Sequence, residues 1–219
     1  MIIYIIRHGE TDLNAKGCIQ GQVDYPLNEN GRKLAALTGQ GMKNIHFDAA
    51  ISSPSSRAYE TAEIVLRENT ASDPIPIATD ERLMETNWGA WEGLGCVESN
   101  YEVPREQHRV LWTDAFHFVP PEGAESAREV CDRTAAFYQE LIRKPEYQDK
   151  TILLSTHGYA MRALLNPIYE NPEDFWHGSV PKNCTVNIVE VKNGVSTLIG
   201  DDVLYYDPSL NNESYGVEA

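Results

Sequence analysis

A layered α/β domain is what this sequence predicts. Helical segments alternate with strands along it, and two of the strands, Ile2 to Ile6 and Lys150 to Thr156, read as buried strands of the kind found in parallel sheets. No internal repeat, low-complexity tract or linker interrupts the alternation. With 219 residues the chain can bury a real core as one domain over 1–219, with a subdomain inserted between its regular elements.

The elements follow in order. Ile2 to Ile6 resembles a signal segment only briefly, because no basic region precedes it and charged residues follow at once, so it reads as a central strand covered on both faces. A helix begins near Glu29, with Asn28 as its cap and Leu34, Leu37, Gly41 and Ile45 on one face. Asp48 to Ser52 forms a short strand. Ser53 is expected to cap the next helix, with Pro54 in its first turn and Ala58, Ala62, Val65 and Leu66 as its buried face. Residues 74–77 give another short strand before the loop holding Glu85. The stretch from Gly93 to Gly123 has weak periodicity and is predicted to be an irregular or partly helical insertion. From Ser126, the spacing of Val130, Thr134, Phe137 and Leu141 restores a helix that ends before Pro145. After the strand at 150–156 comes a helix over 159–168, interrupted near Pro167. Segments 184–191 and 196–199 close the chain as a hairpin turning at Asn193-Gly194. The acidic residues 201–219 read as peripheral, pinned by Tyr205 and Tyr206.

Composition narrows the function. An apolar fraction of 42% with 23% charged residues is that of a globular protein, and no apolar run reaches the ~18 residues that would span a membrane. Cys18, Cys96, Cys131 and Cys184 are scattered, with no spacing typical of zinc, and fit reduced thiols in a cytoplasmic setting. The net charge of −15 opposes nucleic acid and anionic membranes as partners. It also opposes phosphorylated metabolites, so a phosphate site would need a local concentration of positive groups.

Such a concentration is present. Arg7-His8-Gly9-Glu10-Thr11 follows the first strand, Ser52-Ser53-Pro54-Ser55-Ser56-Arg57 the second, and Thr156-His157-Gly158 the strand ending at Ser155. The crevice beyond the carboxyl ends of the strands is where open α/β sheets bind ligands, and helix N-termini near Pro54 and Gly158 would add N–H donors for an anion.

Arg7-His8-Gly9-Glu10-Thr11 resembles the RHG signature of the histidine phosphatase and phosphoglycerate mutase superfamily. Asn14, Gln20-Gly21, the turn at 27–31, Ser52-Ser53-Pro54, Arg57-Ala58, Thr61-Ala62, Glu85, Gly89, Trp91-Glu92-Gly93 and Thr156-His157-Gly158 fall in the family's order. The resemblance implies a three-layer α/β/α sandwich with a mixed, mostly parallel sheet, and a specificity insertion at about 93–123. It implies His8 as a nucleophile needing neither metal nor cofactor, Arg7, Arg57 and His157 as holders of the phosphoryl oxygens, and Glu85 as general acid and base. Asn14, Gln20 and Gly21 become secondary contacts to phosphate or substrate.

Taken singly, each of these residues has a plainer reading: a satisfied structural histidine, a surface ion pair, a solvated glutamate. Their ordered context reverses it. Arg162 reads as the structural partner of a carboxylate, and Trp112, Phe116 and Phe118 as core residues that an insertion over the crevice could turn to specificity. The expected activity is hydrolysis of phosphate monoesters of small metabolites. The alternatives are a cofactor-dependent phosphoglycerate mutase and a non-catalytic phosphate-binding protein. Mutases of the family resemble Glu-Arg-His-Tyr-Gly at the acidic loop, where this chain has Glu85-Thr86-Asn87-Trp88-Gly89. Arg105 and Arg109 are the insertion's cationic candidates for a second phosphate or a carboxylate. The oligomeric state and the natural substrate are not written in the sequence.

Overall fold

The structure is a computed structural model and describes residues 1–212. Six strands, β1 (Ile2–Arg7), β2 (Ala49–Ser52), β3 (Ile77–Thr79), β4 (Thr151–Thr156), β5 (Val186–Lys192) and β6 (Val195–Val203), form one sheet in the order β3-β2-β4-β1-β5-β6. The first three pairings in that order are parallel and the last two antiparallel, so the sheet is mixed and mostly parallel. Six helices accompany it: α1 (Asp12–Ala15), α2 (Glu29–Gly41), α3 (Ser56–Glu68), α4 (Arg105–Thr113), α5 (Ala127–Leu141) and α6 (Gly158–Leu165).

The central strands are apolar along most of their length because both faces are covered. Ile3 and Ile5 of β1, with Ile152 and Leu154 of β4, pack with Phe137, Tyr138 and Leu141 of α5 and with Met161 and Leu164 of α6. The alternate residues Ile6 and Leu153 point the other way, into a cluster with Leu34 and Ala35 of α2 and Ala62 and Val65 of α3. This gives three layers, as expected. A third cluster, of Trp88, Trp91, Leu111, Phe118, Tyr159, Phe175 and Trp176, lies under the 93–123 stretch.

Local sequence explains most boundaries. Asn28 caps α2 by accepting from the Gly31 N–H at 2.8 Å, and Ser126 with Glu129 makes a capping box at the start of α5. Two details differ from expectation. The buried face of α2 is Gly31, Leu34, Ala35, Thr38 and Gly39; Leu37 is half-buried, and Ile45 lies past the helix end. The helix after β2 starts at Ser56, with Ser55 rather than Ser53 in the cap position and Pro54 left outside it; the Ser53 hydroxyl is 2.8 Å from the His157 ring.

Further along the chain, the short strand predicted at 74–77 lies at Ile77–Thr79, where it pairs with Ala50–Ser52. Part of the 93–123 stretch is regular, as α4. Residues 201–203 are not peripheral: they complete β6, and Asp202 pairs with Arg162 at 2.6 Å. Tyr206 is buried and donates to the Asn183 carbonyl at 2.5 Å, whereas residues 213–219 of the predicted tail lie outside the described residues.

The topology carries the three polar clusters to one edge. In register, Arg7 faces Thr156 and Ser52 faces Ser155, so the segments after β1, β2 and β4 leave the sheet side by side. The turn after β1 then docks on the start of α2, where a Cβ on Gly9 would come within 2.5 Å of the Gly31 carbonyl oxygen, and only glycine permits that approach. Leu154 is fully buried at the centre of this sheet. Leu154→Ala should therefore cost about 2–5 kcal/mol of stability, read as a lowered urea midpoint with an unchanged slope; a shift within error would show that the sheet centre tolerates a cavity.

Candidate active site

His8 is held from both sides of its backbone. Its N–H donates to the Thr156 carbonyl at 2.9 Å, and its own carbonyl accepts from Asn183 Nδ2 at 3.1 Å. The ring Nδ1 is 2.7 Å from the Gly9 carbonyl. A carbonyl only accepts, so Nδ1 carries the proton and Nε2 the lone pair. Burial, then the Arg57 and Arg7 charges, hold the His8 pKa well below the ordinary 6.5. The imidazole is neutral at neutral pH, with a lone pair on Nε2.

His157, whose ring centroid is 5.1 Å from that of His8, is fully buried, and its pKa is depressed by burial first and by Arg57 next. Its Nε2 meets the Ser53 hydroxyl at 2.8 Å. Arg57 is also fully buried; it donates Nη2 to the Gly21 carbonyl at 2.5 Å and Nη1 to the Val23 carbonyl at 3.1 Å. Burial pulls its pKa down to about 10, which still leaves it charged. Arg7 donates to the Pro181 carbonyl. Two buried donors here, Arg57 Nε and Gln20 Nε2, have no hydrogen-bond partner among the described residues. Because buried donors are nearly always satisfied, such a group fits an anion as its partner.

Glu85 is buried with its carboxylate on the first turn of α6, where Oε2 accepts from the Tyr159 N–H at 3.0 Å and Oε1 from the Ala160 N–H at 2.9 Å. Oε1 also accepts from the Thr86 N–H at 3.0 Å. Burial raises its pKa, and these three N–H groups only partly oppose the rise.

Arg7, His8, Asn14, Gln20 and Glu85 line one cleft. Arg57, His157 and Gly21 are buried against it without lining it. Arg105 and Arg109 are elsewhere: each is exposed and paired, with Glu98 at 2.6 Å and Glu106 at 2.7 Å. Arg162 is structural, as expected, holding Asp202, the Tyr169 hydroxyl and the Ser179 carbonyl. Among the described residues no group of three or more His, Cys, Asp or Glu side chains is placed to hold a metal ion, and no helix is long and apolar enough to cross a membrane.

Sequence reasoning missed the supports of this site. Arg133 of α5 donates to the carbonyls of Arg82, Met84 and Glu85 at 2.9, 2.7 and 3.1 Å while pairing with Glu125 at 2.8 Å, so it fixes the Glu85 loop. Glu92 accepts from the N–H groups of Gly21, Gln22 and Trp88, and so shapes the turn whose carbonyls receive Arg57. Glu92 stands in the Trp-Glu-Gly context, but nothing in the sequence marks Arg133. Trp176 and Val180 reach the cleft from a segment between α6 and β5 to which no element was predicted. Its Phe175-Trp176 pair, amid polar residues, was the available signal.

The chain matches the histidine phosphatase superfamily (branch 1) over residues 3–200. A 2,3-bisphosphoglycerate-dependent phosphoglycerate mutase of Cytophaga hutchinsonii is 35% identical over 178 residues, which are 80% of this chain and 81% of that one. Phosphoserine phosphatase 1 of Hydrogenobacter thermophilus is 32% identical over 163 residues, 74% of this chain and 73% of that one. Among solved structures, YhfR of Bacillus stearothermophilus superposes with a TM-score of 0.80 at 29% identity, covering 93% of this chain and 98% of its own.

A pH prediction follows from the two depressed histidines. Unfolded, each takes up a proton as pH falls through about 6.5, and folded it does not, so their contribution to stability is complete above that pH and is lost below it. Between pH 7 and pH 5 the unfolding free energy should fall less steeply in His157→Gln than in wild type. Parallel pH profiles would show that His157 is protonated in the fold.

Proposed function

The chain belongs to the histidine phosphatase superfamily, and from that premise we propose that it is a metal-independent phosphatase of small phosphate monoesters that works through a phosphohistidine on His8. The observation that carries the chemistry is the neutral His8 ring, fixed by Gly9 so that Nε2 is the nucleophile and set among buried guanidinium groups. His8 Nε2 attacks phosphorus, the P–O bond to the alcohol breaks, and Glu85, whose pKa is raised by burial, gives its proton to the departing oxygen. The Glu85 carboxylate then takes a proton from a water that attacks the phosphohistidine, and inorganic phosphate leaves with His8 restored.

Arg7 and Arg57 supply charge for the phosphoryl oxygens, Arg57 through its Nε, Gln20 adds a donor beside them, and His157 packs against the His8 ring. Asn14 shares the cleft. The curated relatives include both mutases and phosphatases. Hydrolysis is favoured here because Arg105 and Arg109, the candidates for a second phosphate, are held outside the cleft by Glu98 and Glu106. The absence of an arginine after Glu85 points the same way.

His8→Ala should lose at least about 10³-fold in phosphate release with the fold retained; turnover that persisted in this variant would remove the nucleophile from the mechanism. Glu85→Gln should slow an alkyl phosphate by about 10²–10⁴-fold and p-nitrophenyl phosphate far less, because a good leaving group needs no proton. Equal losses would deny Glu85 the acid role. Incubation with 3-phosphoglycerate and 2,3-bisphosphoglycerate in the presence of EDTA tests the mutase reading: no rapid isomerisation is expected, and fast isomerisation would move the chain to the mutases.

A further inference from the structure

The far side of the cleft is aromatic and carries no charge. Trp112 and Trp176 stack with centroids 4.4 Å apart, Tyr159 meets Trp176 edge to face at 5.3 Å, and Trp88 meets Tyr159 in the same way at 5.3 Å. Ile19 and Leu111 complete the wall. Among the described residues that line the cleft, the charged side chains are Arg7 and Glu85, both already placed at the phosphoryl end.

Two indole nitrogens of this wall are engaged within the protein. The Trp176 indole N–H donates to the Leu111 carbonyl at 2.8 Å, and the Trp112 indole N–H donates to His108 Nε2 at 3.0 Å. Indole nitrogen is a donor only, so His108 Nε2 must be unprotonated and Nδ1 carries the proton, which it gives to the Tyr101 hydroxyl at 2.6 Å. The outer face of Tyr101 is covered by the Arg105 guanidinium, 3.9 Å from the ring centroid. Burial pushes the His108 pKa down to about 4, which keeps the ring uncharged through the neutral range.

We propose that the cleft takes phosphate monoesters of apolar, ring-bearing alcohols without a second anionic group, and that His108 is the positioning residue that holds Trp112 in its wall. A carboxylate or second phosphate would be desolvated there with no cation to meet it, whereas a ring replaces water against four aromatic faces. The inference rests on the phosphatase reading for its phosphoryl end and adds the alcohol end.

Binding of non-hydrolysable phosphonates to the full chain, followed by calorimetry, tests the alcohol end without turnover. With methylphosphonate as reference, 2-phenylethylphosphonate should bind about tenfold tighter or better, and 2-carboxyethylphosphonate no tighter than the reference. A phenyl ligand that gained nothing, or a carboxylate ligand that bound more tightly, would overturn the proposal while leaving the phosphatase reading intact. Failure of methylphosphonate itself to bind would instead remove the phosphoryl site, and with it both readings. His108→Leu should erase most of the phenyl gain relative to methylphosphonate, and His108→Gln, which keeps an acceptor for the indole, should restore it. A gain unchanged in a folded His108→Leu would leave His108 without a positioning role, and Trp112→Ala then tests the wall alone.

Discussion

Burying two guanidinium groups beside a neutral imidazole, at the end of a parallel sheet, is the constraint to which the surrounding structure answers. A charge removed from water must be given hydrogen bonds, and Arg57 receives them from the Gly21 and Val23 carbonyls while Arg7 uses that of Pro181. The loops that carry those carbonyls have to be rigid in turn. Glu92 gathers the N–H groups of the first. Arg162, anchored to Asp202 and Tyr169, holds the Ser179 carbonyl of the second. The polar network therefore extends well beyond the cleft, into strand β6 on one side and the segment after Trp88 on the other.

The same logic explains what was legible in the sequence. Strands β1 and β4 were readable because both faces are covered, so Ile2 to Ile6 and Ile152 to Leu154 are continuous runs with no alternation to be judged. The starts of α2 and α5 were readable because Asn28 and Ser126 do the capping their residue types suggest. The start of α3 was misplaced because Ser53, a good cap by type, lies against His157 instead. The residues proposed to act on phosphate stood in ordered motifs, whereas Arg133 is a helix residue whose work is with backbone carbonyls of a distant loop, and backbone partners leave no trace in residue types. The aromatic wall was illegible for a related reason: Trp88, Trp112, Tyr159 and Trp176 come from four separate stretches of chain, and only the packed third cluster brings them together.

Relatives of this chain include both mutases and phosphatases, so the shared core alone does not set the outcome. The stretch around α4 and the segment bearing Trp176 cover the same crevice from two sides. Here both contribute rings, and the arginines of the first are occupied with Glu98, Tyr101 and Glu106.

The hydrogen bond from His8 to the Gly9 carbonyl joins neighbours in the chain. It spans no flexible loop and depends on no mobile partner, so the imidazole orientation is built into the turn that ends β1. In the proposed cycle the Nδ1 proton stays where it is while Nε2 gains and loses phosphorus. The ring then serves as a fixed post between two half-reactions, and whatever rearrangement turnover demands falls on substrate, water and the Glu85 proton rather than on the nucleophile.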